Sequence, residues 1–163
     1  MFKEVLMSKH GNGENNDILL DVNTDEIEIL VFTIKDQVFG VNVLQVREIL
    51  MPSPIDKVPQ VHPSVEGVYM PRDVLITVVN LADYLGIYSE EEQKTLFIVA
   101  DVDKLNAAFR VNNVLGIERI STASVEGSEV SYGRDGVMEG IVRINGKLIS
   151  LINFSEIVED IAP

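Results

Sequence analysis

Side chains able to carry catalysis are few in this sequence, and their spacing assembles no familiar chemistry. There are two histidines, His10 and His62, and no cysteine. Without cysteine there is no disulfide, no thiolate nucleophile and no thiolate-held metal. A histidine-centred zinc site lacks ligands too, because His10 lies in a polar leader. Serines occur with no nearby histidine to act as base. Gly11-Asn12-Gly13 matches neither nucleotide-binding fingerprint. Carboxylates are abundant, yet Asp101, Asp103 and Glu90–Glu92 read as solvated turns, and no pair offers a legible glycosidase geometry. Asp17–Asp25 lacks the alternating oxygen ligands, central glycine and closing glutamate of a calcium loop. No catalytic residue, cofactor-binding residue or metal ligand is expected.

The informative side chains are charges at structural corners. Arg72 stands at the tip of an expected hairpin, where a turn has no need of arginine. Arg47-Glu48 interrupts the apolar stretch VLQVREIL. Each has an ordinary reading as a solvated surface residue. Exposed apolar neighbours would instead make an interaction surface.

The elements that position these charges come from an internal repeat. EGVYMPRDVLITVVNLADYLG (Glu66–Gly86) recurs without a gap as EGIVRINGKLISLINFSEIVE (Glu139–Glu159), 139 − 66 = 73 residues further on. Each copy reads as strand, tight turn, β-rich strand and short helix. The second copy turns on Asn145-Gly146, a pair suited to a two-residue hairpin. The first turns on Pro71-Arg72-Asp73, so Arg72 departs from its sister Asn145. Asn80 and Asn153 are placed to cap the helices, and Gly86 to end the first of them. Upstream, Phe39 through Glu48 resembles Phe109 through Glu118 more weakly, at an offset of 118 − 48 = 70.

The rest of the chain is closely punctuated. Residues 1–26 read as a flexible acidic leader, and 27–161 as the folded region. Within it, subdomains of roughly 27–88 and 95–161 meet at the polar connector Tyr88–Lys94. Asn42 is expected to cap a turn or two of helix carrying Val43, Val46 and Ile49 or Leu50. The stripe Phe154, Ile157, Val158 and Ile161 should pack a last helix onto the body. About ten short strands, three or four short helices and no long crossover helices predict a mainly β protein, with one five-stranded barrel per repeat.

Composition narrows the partners. The chain has 163 residues, 46% of them hydrophobic, and a formal net charge of −13. It can build a core, and its charge repels nucleic acid and anionic lipid. No apolar run approaches the ~20 residues needed to span a bilayer, and the N-terminus lacks a secretory signal. A cytoplasmic protein without nucleic-acid binding or membrane insertion is expected.

At FGVNVLQVREIL, the proline loop with IDKVP, and HPSVEGVYMPRDVLITVVNLADYLG, the sequence resembles the CheW family of chemotaxis coupling proteins, from about Ile27 to Ile161. The opening ILLDVNTDEIEILVF and closing IVEDIAP resemble more narrowly the N-terminal CheW-like domain of CheV proteins. The resemblance implies two five-stranded SH3-like β-barrels. It also implies an adaptor without catalysis that binds the cytoplasmic tip of chemoreceptors and the regulatory domain of the histidine kinase CheA. Glu48 and Arg72 match the opposite-charge pair of the family's receptor surface, and Val46 and Ile49 would add apolar contact. Two stretches depart from the family pattern: its Leu-Arg-Gly turn is Pro71-Arg72-Asp73 here, and its Ile-Pro-Val-Val-Asp-Leu strand is Ile76-Thr77-Val78-Val79-Asn80-Leu81. Asp73 is placed to tether Arg72. Two rival readings are a small-ligand-binding or sensor β-barrel and a protein-binding β module unrelated to chemotaxis.

Overall fold

The structure is a computed structural model and describes residues 25–59, 62–127 and 134–162. Residues 1–24 of the expected leader, with His10, lie outside them. The described chain runs β1 (Glu26–Ile34), β2 (Gln37–Asn42), a single 3₁₀ turn (Val43–Gln45), β3 (Val46–Leu50), β4 (Val65–Tyr69), β5 (Ile76–Asn80) and α1 (Leu81–Leu85). It continues as β6 (Leu96–Ala100), β7 (Ala107–Val111), β8 (Asn113–Ser121), a 3₁₀ turn (Thr122–Ser124), β9 (Met138–Ile144), β10 (Lys147–Ile152) and α2 (Phe154–Ile161).

The ten strands form two five-stranded mixed sheets, ordered β8-β1-β2-β10-β9 and β3-β6-β7-β5-β4. Neither closes, so the two five-stranded SH3-like β-barrels expected above do not form. Closure would need ladders joining β8 to β9 and β3 to β4, and the sheets end at those strands instead. A loop crosses each gap with one isolated bridge, Asp56 to Val68 and Glu126 to Ile141. The edges that would have to pair are consecutive in the chain, β3 with β4 and β8 with β9. The loop between each pair, which in the first carries Pro52 and Pro54, makes a single bridge and no ladder.

The sheets also exchange strands. The β1–β2 hairpin joins β8, β9 and β10, while β6–β7 joins β3, β4 and β5. The registers are nevertheless equivalent. Ile49 pairs with Ile98 and Leu30 with Ile117, an offset of 98 − 30 = 68 on one strand and 117 − 49 = 68 on the other. This is not the 70 of the weaker upstream match, so Glu48 corresponds to Gly116 and Phe39 to Ala107 instead of to Glu118 and Phe109. Thr77 pairs in parallel with Ala107, and Ser150 with Phe39. In both hairpins of the gapless repeat the ladder slips at the glutamate, Glu66 or Glu139, just before the glycine.

Local signals explain the repeated unit. Asn80 Oδ1 accepts from Asp83 N at 3.1 Å, and Asn153 Oδ1 from Glu156 N at 3.2 Å. Each satisfies an orphan amide of a helix start. Gly86 ends α1 in the left-handed region, φ 73°. Asn145 and Gly146 both take positive φ in the two-residue turn of β9–β10. The first copy differs: β4 and β5 pair only as far as Tyr69 and Ile76. Pro71 has no N–H to extend the ladder, so Val74 and Leu75 lie in a longer exposed turn instead of on the expected strand.

Three clusters hold the molecule. The central one packs Phe32, Phe39, Phe109, Phe154 and Ile157 between the sheets and beneath the helices. The other face of each sheet has its own core, built on Ile29, Val31 and Ile149 in one, and on Tyr69, Val78, Phe97 and Val99 in the other. The stripe of α2 is buried as its spacing predicts.

Glu139, at the slip in β9, accepts from Asn153 Nδ2 at 3.2 Å. Its sister Glu66 pairs with Arg110 at 2.7 Å. Desolvation raises the Glu139 pKa, and the Asn153 hydrogen bond only partly opposes it. A carboxyl with a raised folded pKa favours the fold while protonated and loses that contribution as pH rises through it. Glu139→Gln should therefore raise the melting temperature slightly at neutral pH. The gain should vanish by about pH 3, below the ordinary glutamate pKa of about 4.3, where the wild-type carboxyl is protonated in both states. Equal melting temperatures at both pH values would contradict this.

Candidate functional site

The short turn and β3 together determine which side chains of VLQVREIL reach solvent. Asn42 caps as expected, its Oδ1 accepting from Leu44 N at 2.9 Å. The helix expected after it stops at one 3₁₀ turn, and Val46–Leu50 is a strand against β6. The ladder slips at Arg47, leaving Val46 opposite Ala100 and Ile49 opposite Ile98. The bulge thus puts residues three apart on one face, which is the spacing that reads as helical in sequence.

Opposed residues of an antiparallel pair share a face. Val46 and Ile49 therefore face the central-core side, Val46 half-buried and Ile49 exposed at the edge. Glu48 and Leu50 oppose Val99 and Phe97 and face the other way. Arg47 does not pair with Glu48; its Nη2 donates to Asp101 Oδ1 at 3.0 Å.

Arg72, at the β4–β5 turn, reaches across the open edge to Glu48, with Nη2 to Oε2 at 3.6 Å. Its side chain is 76% exposed and that of Glu48 36%. Such a pair contributes about 0–1 kcal/mol to folding. No ion pair joins Arg72 to Asp73 among the described residues. Met51, Met70, Val74 and Leu75 are exposed along the same segments. The structure thus joins Glu48 to Arg72 and places Val46 and Ile49 on the opposite face of β3.

Arg110 shows what a structural arginine looks like in this chain. Its Nε donates to Glu66 at 2.7 Å and its Nη1 to Thr95 at 2.8 Å, and its guanidinium lies 4.7 Å from the centre of the Phe97 ring. Among the described residues Arg72 has one long, exposed ion pair. At the equivalent place in the other sheet stand Gly116 and Asn145, which line a hollow of about 210 Å³ with Val31, Leu115 and Ile149. The opposite-charge pair is a property of the first copy alone.

Two residues near the site escape sequence reasoning. Gln45 ties the entry of β3 to α2: its Oε1 accepts from Phe154 N at 2.7 Å and its Nε2 donates to Asn153 Oδ1 at 3.0 Å. Nothing at Gln45 signals this, since its partners lie over a hundred residues away. Tyr69 is buried on the same sheet face as Glu48. In sequence it reads only as a β-favouring aromatic. Desolvation raises its pKa, Glu48 adds to the rise and Arg72 opposes it.

A family model described as "CheW-like domain" matches residues 28–162. The chain is 34% identical over 136 residues to "Chemotaxis protein CheW" of Thermotoga maritima, covering 83% of this chain and 90% of that protein. It is 26% identical over 155 residues to "Chemotaxis protein CheV3" of Helicobacter pylori, spanning 86% of this chain and 50% of that protein. Similarity is thus greater to this CheW than to this CheV, where the narrower resemblance had pointed to CheV. The crystal structure of the scaffolding protein TtCheW from Thermoanaerobacter tengcongensis matches with a TM-score of 0.70 at 25% identity, over 77% of this chain and 83% of that one.

Proposed function

The chain belongs to the CheW-like domain family of non-enzymatic chemotaxis scaffolds, and on that premise we propose that it couples the cytoplasmic tip of chemoreceptors to the regulatory domain of the histidine kinase CheA. The receptor surface is built on Glu48 and Arg72. Met70, Val74 and Leu75 supply apolar contact from the turn, and Ile49 does so from the far face of the edge strand, with Val46 behind it. The observation that carries this reading is the Glu48–Arg72 pair itself. It spans an open sheet edge, contributes little to folding, and is absent from the equivalent place in the second copy.

No helix among the described residues is long and apolar enough to cross a membrane. A cytoplasmic adaptor recruited by its partners fits that observation and the net charge of −13. We place the chain nearer CheW than the CheW-like part of CheV, on the higher identity.

Coupling requires that both partners bind at once. Sedimentation of the protein with a soluble receptor-tip fragment and the kinase regulatory domain should give a ternary complex, heavier than either binary one. Mutually exclusive binding, or binding of neither partner, would overturn the coupling role.

A further inference from the structure

Tyr69 Oη is buried and has no hydrogen-bond partner among the described residues. Burying a hydroxyl without an acceptor costs about 1–3 kcal/mol, so an unpartnered one beside a binding surface is informative. It is not the habit of this chain: the Tyr84 hydroxyl donates to Asp160 Oδ2 at 2.7 Å. The Tyr69 ring lies 5.5 Å from that of Phe97, on the sheet face that also carries Glu48. Both charges of the ion pair act on its phenol. At 3.6 Å, meanwhile, the contact between Glu48 and Arg72 is longer than a charge-assisted hydrogen bond. A carboxylate with a loose partner thus shares a face with a donor that has none.

We propose that Tyr69 is a positioning residue of the partner-binding surface: when an acidic side chain of the receptor takes Arg72, the Glu48 carboxylate turns inward and accepts from Tyr69 Oη. The proposal rests on the assignment of Glu48 and Arg72 to the receptor surface. Every polar group keeps or gains a partner in the exchange. Arg72 trades an internal carboxylate for an external one, Glu48 trades a loose guanidinium for a phenol O–H, and the orphan hydroxyl is satisfied. The partner this selects carries an aspartate or glutamate beside apolar residues that cover Met70, Val74 and Leu75.

The test is calorimetric titration of a soluble receptor-tip fragment into wild type, Tyr69→Phe and Arg72→Ala, with urea unfolding of each protein alone. Tyr69→Phe should weaken binding about fivefold, the worth of one hydrogen bond. Its stability should equal or exceed that of wild type, because the orphan hydroxyl is gone. A tyrosine that matters only for its packed ring predicts the same stability with unchanged affinity, so the affinity decides between them. If Arg72→Ala weakens binding and Tyr69→Phe does not, the inference is overturned and the receptor site stands. If neither does, the site falls and the inference with it. A second measurement needs no variant of the adaptor's fold: in protein carrying ¹³C-tyrosine, the Tyr69 Cζ resonance should move on adding the receptor fragment. A resonance that stays in place at saturation overturns the inference.

Discussion

Gly67→Ala should destabilise the protein by about 2–5 kcal/mol, the sum of backbone strain and overpacking. Gly67 has φ 153°, in a region that residues with a Cβ rarely adopt. A Cβ there would overlap the carbonyl oxygen of Asp56 and come within 2.7 Å of Ile55 Cγ2. The Asp56 carbonyl cannot move aside freely, because it accepts from Val68 N at 2.8 Å in the bridge that crosses the open edge of the sheet. Gly140 repeats the arrangement at φ 154°, its added Cβ meeting Glu126 O and Val125 Cγ1 at 2.6 Å. Gly140→Ala should cost a similar amount. Gly86 is the control, with positive φ but open space around it. There the left-handed penalty alone applies, about 1–2 kcal/mol. Urea unfolding of the three variants separates the cases, and a Gly67→Ala loss no larger than that of Gly86→Ala would contradict the close approach.

Glu48 and Arg72 should behave in the opposite way. Arg72→Ala and Glu48→Ala should leave the melting temperature nearly unchanged, since an exposed pair at 3.6 Å adds little to folding. Each should nevertheless weaken receptor-tip binding by about 1–3 kcal/mol, the cost of a moderate hot spot. Arg110→Ala provides the contrast. It strips Glu66 and Thr95 of a donor in a half-buried network and should lower stability. Arginine variants that all lowered stability equally, with affinity unchanged at Arg72, would remove the distinction between structural and binding charges.

Much of this was legible because the signals are local. The Asn80 and Asn153 caps, the Asn145-Gly146 turn, the buried stripe of α2 and the duplicated hairpin each depend on residues within a few positions of one another. Sheet membership is not local. That β1 and β2 join β10 instead of β3 is decided by pairing across more than a hundred residues. Neither sheet closes because the loops from β3 to β4 and from β8 to β9 form single bridges where ladders would be needed. A repeat in sequence therefore reads as two separate barrels when the units in fact exchange hairpins. The segment after Asn42 misleads for a sharper reason, since one bulge at Arg47 gives a strand the apolar spacing of a helix. At the site, Arg72 stood out by departing from Asn145. Glu48 was singled out jointly with Arg47, and only the register shows that the two side chains go to different partners. Tyr69 was invisible as a site residue, because what marks it is the absence of a partner for its hydroxyl.

The most direct test of the account is a calorimetric titration of the receptor-tip fragment into Arg72→Glu and into the double variant Arg72→Glu/Glu48→Arg, with the kinase regulatory domain titrated in parallel. The account predicts that Arg72→Glu loses receptor affinity at least as severely as Arg72→Ala, that the double variant recovers part of it, and that kinase binding is unaffected in both. Receptor affinity equal to wild type in correctly folded Arg72→Glu would contradict the placement of the receptor surface on this pair.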